Sequence, residues 1–263
     1  MLTETQLESL YSQGGYWPNA RVDVLSFKKF PVPYVLAKAR WALVESSLTE
    51  KRNGNAISIL DVGAGHGFLG MAAARSKKFN LREYAAVEAD ESLRDSLRQT
   101  WDLAYAKSKL RTAKTFEEIE GRYEVIVLSH ILEHLPRPGK MLGEVSSRLK
   151  EGGIVFIDVP HRDYLYKDDV FPHVLFFDAG SLKKLCEHNN LKVVSADCYG
   201  RDISESPLSR QNQKNFFSKM EKLLFKLRRI LPLGFLEVFY SFYFGVYRKN
   251  PQGTWVRMVA RGV

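Results

Sequence analysis

From Ile57 onward, short apolar runs alternate with amphipathic stretches of helical length, the order expected of a doubly wound α/β sheet with helices on both faces. The runs read as seven strands, at 58–62, 83–88, 110–114, 123–128, 153–159, 191–196 and 254–260. Helices are expected at 35–47, 139–150 and 179–189, the last stopping at Asn189-Asn190. This order divides the chain into an N-terminal helical arm (1–50), a core (51–200), a helical insertion (201–250) and a closing strand (251–263). Residues 11–30 mix glycine, proline and aromatics, so the arm either covers a ligand or packs against the sheet edge.

Composition narrows the setting. A chain of 263 residues suits one α/β core with an elaboration, and 45% hydrophobic residues can fill that core. Two cysteines, Cys186 and Cys198, are too few for a disulfide scaffold and lack the spacing of a zinc knuckle. The opening MLTETQLESL is polar and acidic, not a secretory leader, and a cytoplasmic protein is expected. Net charge is +9, yet residues 210–229 alone hold seven Lys and Arg against Glu221, a local +6. The excess belongs mainly to one segment, so a nucleic-acid-binding body is not expected.

The densest signal is Ile59-Leu60-Asp61-Val62-Gly63-Ala64-Gly65-His66-Gly67-Phe68-Leu69-Gly70. An apolar strand enters a loop where Gly63, Gly65 and Gly67 permit positive φ and close approach of main chain to a ligand, and a helix follows. The second strand ends Ala86-Val87-Glu88-Ala89-Asp90, which places an acid where it can accept hydrogen bonds from a ribose diol. A dinucleotide site must hold an anionic pyrophosphate. Here the spacing is GxGxG with Asp61 two positions ahead, which suits a cationic ligand end instead. These residues resemble the class I S-adenosylmethionine (SAM)-dependent methyltransferases, whose first motif reads much like DVGAGHG. The resemblance implies a Rossmann-like fold, SAM as cofactor, and a cofactor site drawn from Asp61, Gly63, Ala64, Gly65, Gly67, Glu88, Ala89 and Ser129.

Strand four is followed by Ser129-His130-Ile131-Leu132-Glu133-His134-Leu135. Ligands of open α/β sheets bind at the carboxyl ends of the strands, so Ser129 and His130 are expected at the crevice. This passage resembles the branch of ubiquinone-type O-methyltransferases, with Leu-Glu-His here and Pro-Gly-Gly before strand five, although Glu151 replaces that proline. On a helical turn His130, Glu133 and His134 would project to one side, with His173 a fourth candidate. Two imidazoles and a carboxylate suit a divalent metal. The set also resembles that of small-RNA terminal 2′-O-methyltransferases, except that His130 stands where their first glutamate would be. Three readings stay open: hydrogen bonds that fix the crevice wall, a metal set, or a general base. The working expectation is no metal, with His130 and His161 as candidate bases, because a neutral imidazole can take the proton of an attacking hydroxyl.

In the insertion, Phe216, Phe217, Met220, Leu223, Leu224, Leu227, Ile230 and Leu231 recur at helical spacing with lysines opposite, a basic amphipathic helix. The aromatic run 233–247 follows and contains Gly234 and Glu237, which argue against a membrane span. An acceptor cap, a homodimer surface through 210–247, and a helix lying at the inner membrane face remain open. The functional expectation is O-methylation of a small metabolite, sugar or lipid-linked glycan. The rivals are an RNA 2′-O-methyltransferase using a divalent metal and a non-catalytic binding module built on the same fold.

Overall fold

A computed structural model describes residues 31–48, 56–105, 107–167, 169–204, 223–224, 226–227 and 230–263. Its strands are β1 (Ala56–Val62), β2 (Asn80–Val87), β3 (Lys109–Ala113), β4 (Tyr123–Ser129), β5 (Leu149–Pro160), β6 (Leu191–Asp202) and β7 (Gly253–Gly262). The helices are α1 (Pro31–Ser47), α2 (Phe68–Ala74), α3 (Glu91–Ala104), α4 (Pro138–Ser147), α5 (Ala179–Glu187) and α6 (Leu233–Phe244). The strands form one sheet in the order β3-β2-β1-β4-β5-β7-β6. All neighbours run parallel except β7, which is antiparallel to both β5 and β6.

All seven expected strands are present; the continuous apolar runs of β1, β4 and β5, flanked by turns, have few alternatives to a buried parallel strand. Several boundaries differ by a few residues, and two of the differences follow from strand pairing. Leu149 already pairs with Tyr123, so the helix expected to run to 150 gives way to β5 after Ser147. β6 continues to Asp202 because Tyr199 and Asp202 still pair with β7, although its outer residues are polar. The expected basic helix falls largely outside the described residues; positions 223, 224, 226 and 227 are helical, and Leu224 is buried.

The side-chain period of two sorts each strand between two cores. Ile57, Ile59, Val125, Val127, Ile154 and Phe156 pack against α1, α2 and α3 on one face. Leu60, Val62, Ile126, Leu128, Val155 and Ile157 pack against α4 and α5 on the other. The alternation carries Asp61, Tyr84, Glu88, Ser129, Asp158 and Arg257 to the α1 side as well, since each shares parity with that side's core residues. The described part of the N-terminal arm therefore packs on a sheet face: Tyr34, Ala37, Trp41 and Val44 of α1 enter the main core, while Val35 and Ala39 meet Leu236 and Tyr240 of α6.

Candidate functional site

At the carboxyl end of β1 the chain turns through Gly63, Gly65 and Gly67 with φ of 73°, 53° and 71°. The N–H groups of Gly63 and Ala64 both donate to the Val87 carbonyl, which ties the loop to β2. Gly65 matters most for ligand approach. A Cβ there would meet nothing within 4 Å, so its main chain borders open space, while its N–H donates to Glu88 Oε2 at 2.8 Å. The Asp90 N–H donates to the other Glu88 oxygen at 3.0 Å, which fixes the carboxylate plane. Asp90 in turn caps α3 through the N–H groups of Ser92 and Leu93.

Asp61 is held from behind. Gly70 lets α2 lie against the Tyr84 ring, where an added Cβ would approach ring atoms to 2.5 Å, and Tyr84 stacks on Trp101. From that position the Tyr84 hydroxyl donates to Asp61 Oδ2 at 2.6 Å. Burial pushes the Asp61 carboxyl up to about 7, against the lowering influence of Tyr84 and Arg40. Burial also raises Glu88, although the N–H groups of Asp90 and Gly65 oppose it. A buried and a half-buried acid facing one loop favour a ligand that brings them positive charge and hydroxyl donors. SAM has an ammonium and a ribose diol, so these residues fit it: Asp61 toward the ammonium, Glu88 toward the diol, Gly65 leaving room between.

Ser129 ends β4 paired with Asp158, and the His130 N–H donates to the Asp158 carbonyl at 2.8 Å. Sequence reasoning missed Asp158. Its carboxylate is fully buried, accepts from Arg40 Nε of α1 at 2.5 Å, and lies 3.6 Å from Arg257 Nε. Burial opposes its ionisation, yet Arg40, Arg257 and His130 together hold the carboxyl below the usual range. The available signal was an acid inside an apolar run, which must find a counter-charge once buried. Tyr84, Arg40 and Arg257 were missed for the same reason: each acts through a partner distant in sequence. The Ala89 carbonyl accepts from Arg94.

His161 is buried just beyond β5, and its Nδ1 lies 2.8 Å from the Gly253 carbonyl. A carbonyl only accepts, so Nδ1 carries the hydrogen of this bond. His130 adopts φ of 57°, and its Nδ1 is 3.1 Å from Glu133 Oε1. The expected helical turn is a single 3-10 turn, Leu132–His134, and His130 lies outside it. The potential ligand set is accordingly Glu133, His134 and His173, with one donor atom from each within 4.8 Å of the others. His130 approaches Glu133 without joining that set. His173 Nδ1 meets Asp163 Oδ2 at 2.7 Å, and burial pulls His134 down to about 4, which keeps its imidazole neutral. The His66 ring lies edge-on to Phe68, 5.8 Å between centroids, and His188 is an exposed cap whose Nδ1 meets the Lys184 carbonyl.

Residues 36–196 match a family described as a methyltransferase domain. The mitochondrial ubiquinone biosynthesis O-methyltransferase of Saccharomyces cerevisiae is 28% identical over 154 residues, 56% of this chain and 48% of that one. The chain thus spans about half the length of that relative. Among solved structures, magnesium protoporphyrin IX methyltransferase from Synechocystis PCC 6803 with bound SAM aligns at a TM-score of 0.54 and 14% identity, over 74% of this chain and 90% of that one. The cyclase SpnF aligns at 0.55 and 12%, over 84% and 79%. At such identity the solved structures establish the fold alone. The fold and site together define an α/β enzyme of the SAM-using class. The chain belongs to the methyltransferase-domain family, and SAM is its cofactor.

Proposed function

We propose that this chain transfers a methyl group from SAM to an oxygen of a small acceptor: a metabolite, a sugar or a lipid-linked glycan. The observation that carries the reading is Glu88, clamped by the Gly65 and Asp90 N–H groups beside Asp61 at the mouth of the glycine loop. The oxygen preference is supported by the likeness to a ubiquinone biosynthesis O-methyltransferase. A cytoplasmic setting remains part of the proposal, resting on composition. When bound, SAM supplies an electrophilic methyl on a sulfonium. Asp61 holds the ammonium end, Glu88 accepts from the ribose, and β1, β4 and β5 position the acceptor for in-line attack. His161 takes the acceptor's proton at Nε2, since Nδ1 is committed to Gly253. His130, more exposed and close to Glu133, is the alternative base.

Calorimetry tests the cofactor half directly: SAM and its demethylated product bind the wild type, and Glu88→Ala weakens both by roughly 100-fold, two lost hydrogen bonds to a half-buried carboxylate. With a turned-over acceptor in hand, His161→Ala lowers kcat by about 100-fold and leaves SAM affinity unchanged. A wild type that binds neither SAM nor its product removes the proposal. Full turnover in both His161→Ala and His130→Ala removes only the base.

A metal-assisted form of this transfer is the second reading, favoured by the convergence of Glu133, His134 and His173. Glu133 is 1% exposed, its Oε2 has no hydrogen-bond partner among the described residues, and Asp163 orients His173 as an outer carboxylate orients a metal-bound imidazole. A tetrahedral ion with bonds of about 2.1 Å needs donors about 3.4 Å apart, so the three side chains would close in slightly. Cobalt(II) titration is expected to give visible absorption at one equivalent in the wild type and none in Glu133→Gln, with SAM affinity retained in both. Equal spectra in the two proteins would return Glu133 to a purely structural role.

A further inference from the structure

Large apolar side chains are exposed in several places among the described residues, and one of them is the outer face of α6. Phe235 is 51% exposed, Val238 72% and Phe242 81%, with Ile230 at 75% and Tyr247 at 54% beyond the helix ends. Positions 235, 238 and 242 fall on one arc of a 3.6-residue helix, while the buried Leu236, Tyr240 and Tyr243 fall on another. The inner arc is satisfied by Val35 and Ala39 of α1. No contact of the described chain accounts for the outer arc, and a contiguous apolar face of this kind marks an interaction surface.

We propose that this face docks on an anionic lipid bilayer, lying in the interface plane. Three observations select that occupant. First, α6 presents no unbalanced charge to the hydrocarbon, because its acid, Glu237, is turned onto Lys38 of α1, Oε2 to Nζ 2.6 Å. Second, the exposed Lys226 precedes this helix in the chain and the exposed Arg248 follows it. Positive charge flanking an apolar face complements acidic headgroups, whereas two copies of this chain meeting face to face would bring like charges together. Third, twelve residues rise about 18 Å, short of the roughly 30 Å of a hydrocarbon core, and no described helix is long and apolar enough to cross a membrane. Partial burial in the headgroup region is what such a helix can achieve. Nucleic acid fits poorly, because Phe235, Val238 and Phe242 offer neither donors nor charge.

Docking through α6 brings α1, and with it the Arg40 and Asp158 side of the crevice, toward the bilayer. Access to a bilayer-resident acceptor is a consequence that rests on the transfer reaction proposed above, whereas docking itself is measured without turnover. Flotation of the full chain with phosphatidylglycerol-rich vesicles is compared with phosphatidylcholine vesicles, for the wild type and for the triple variant Phe235→Glu, Val238→Glu, Phe242→Glu. The wild type is expected to co-float with the anionic vesicles, less at high ionic strength, and the variant to lose roughly tenfold or more of that partition. Its melting temperature should not change, because all three side chains face outward. Failure of the wild type to float with anionic vesicles overturns the proposal, and so does equal flotation of the variant. If the wild type does not float and the variant melts lower or changes from dimer to monomer, the face is covered by this chain's own segment or a second copy, and the lipid assignment is wrong.

Discussion

Asp61→Asn is expected to raise the melting temperature at pH 8 by roughly 5 °C while weakening SAM binding roughly 10- to 100-fold. The sign follows from where the proton resides. Burial pushes the folded Asp61 carboxyl up to about 7, while an unfolded aspartate titrates near 3.9. Between those values the folded chain holds a proton that the unfolded chain has released. Stability contributed by this group is therefore complete below about pH 4, falls as pH rises, and is lost above about pH 7. Asparagine has nearly the same shape, its carbonyl can still accept from Tyr84, and it has no charge to desolvate. Each pKa unit corresponds to about 1.4 kcal/mol, and each kcal/mol moves the melting point of a chain this size by about 2–4 °C. The gain should shrink toward zero as pH falls to about 4. The same substitution removes the negative charge that offsets the ammonium of SAM, a charge-assisted contact in a buried site. Melting curves across pH and calorimetry with SAM check the two halves separately. A variant that melts lower at pH 8 and binds SAM normally would place Asp61 in the scaffold rather than the cofactor site.

The candidate cofactor site is legible in the sequence because its parts lie close together along the chain. Asp61, the glycine loop and Glu88 are each specified by neighbours within a few positions. Strand identity is legible for a related reason, since the apolar runs of β1, β4 and β5 leave little choice of environment. Their boundaries are less so: Leu149 and Tyr199 become strand through pairing with partners that the local pattern does not reveal. The histidine cluster shows where spacing misleads. His130, Glu133 and His134 share a face only if the segment is a helix, and the left-handed φ of His130 removes it from the turn. His173 reaches the cluster because the Val174 and Leu175 N–H groups both bond to the Glu133 carbonyl, a loop contact with no sequence signature. Least legible of all is the contact of Arg40, Asp158 and Arg257, since it requires β7 to enter the sheet beside β5 and α1 to cross above both.

Asp158→Ala tests that last contact and should be among the most destabilising substitutions in the chain. Its removal leaves Arg257, 2% exposed, with the Val246 carbonyl as its hydrogen-bond partner and the Tyr199 and Trp255 rings beneath its guanidinium. An uncompensated buried charge of this kind costs about 3–5 kcal/mol, a fall in melting temperature on the order of 10 °C. Arg40 is released at the same time, and because its charge also acts on Asp61, cofactor affinity should fall with stability. The pH dependence runs opposite to that of Asp61. The Asp158 carboxyl is held below the usual range, so its contribution is present above the unfolded pKa near 3.9 and is lost as pH falls further through the folded value. The gap between wild type and variant should thus be widest at neutral pH and close only in strong acid. A paired change separates charge from shape: Asp158→Leu alone should destabilise strongly, whereas Asp158→Leu with Arg257→Met should recover much of the loss, because a well-packed apolar pair can replace a buried ion pair. Recovery by the double variant with cofactor affinity still reduced would assign Asp158 two separable duties, one toward Arg257 in the sheet and one toward Arg40 above the crevice. If the double variant is no more stable than the single one, the buried charge of Arg257 is not what Asp158 neutralises.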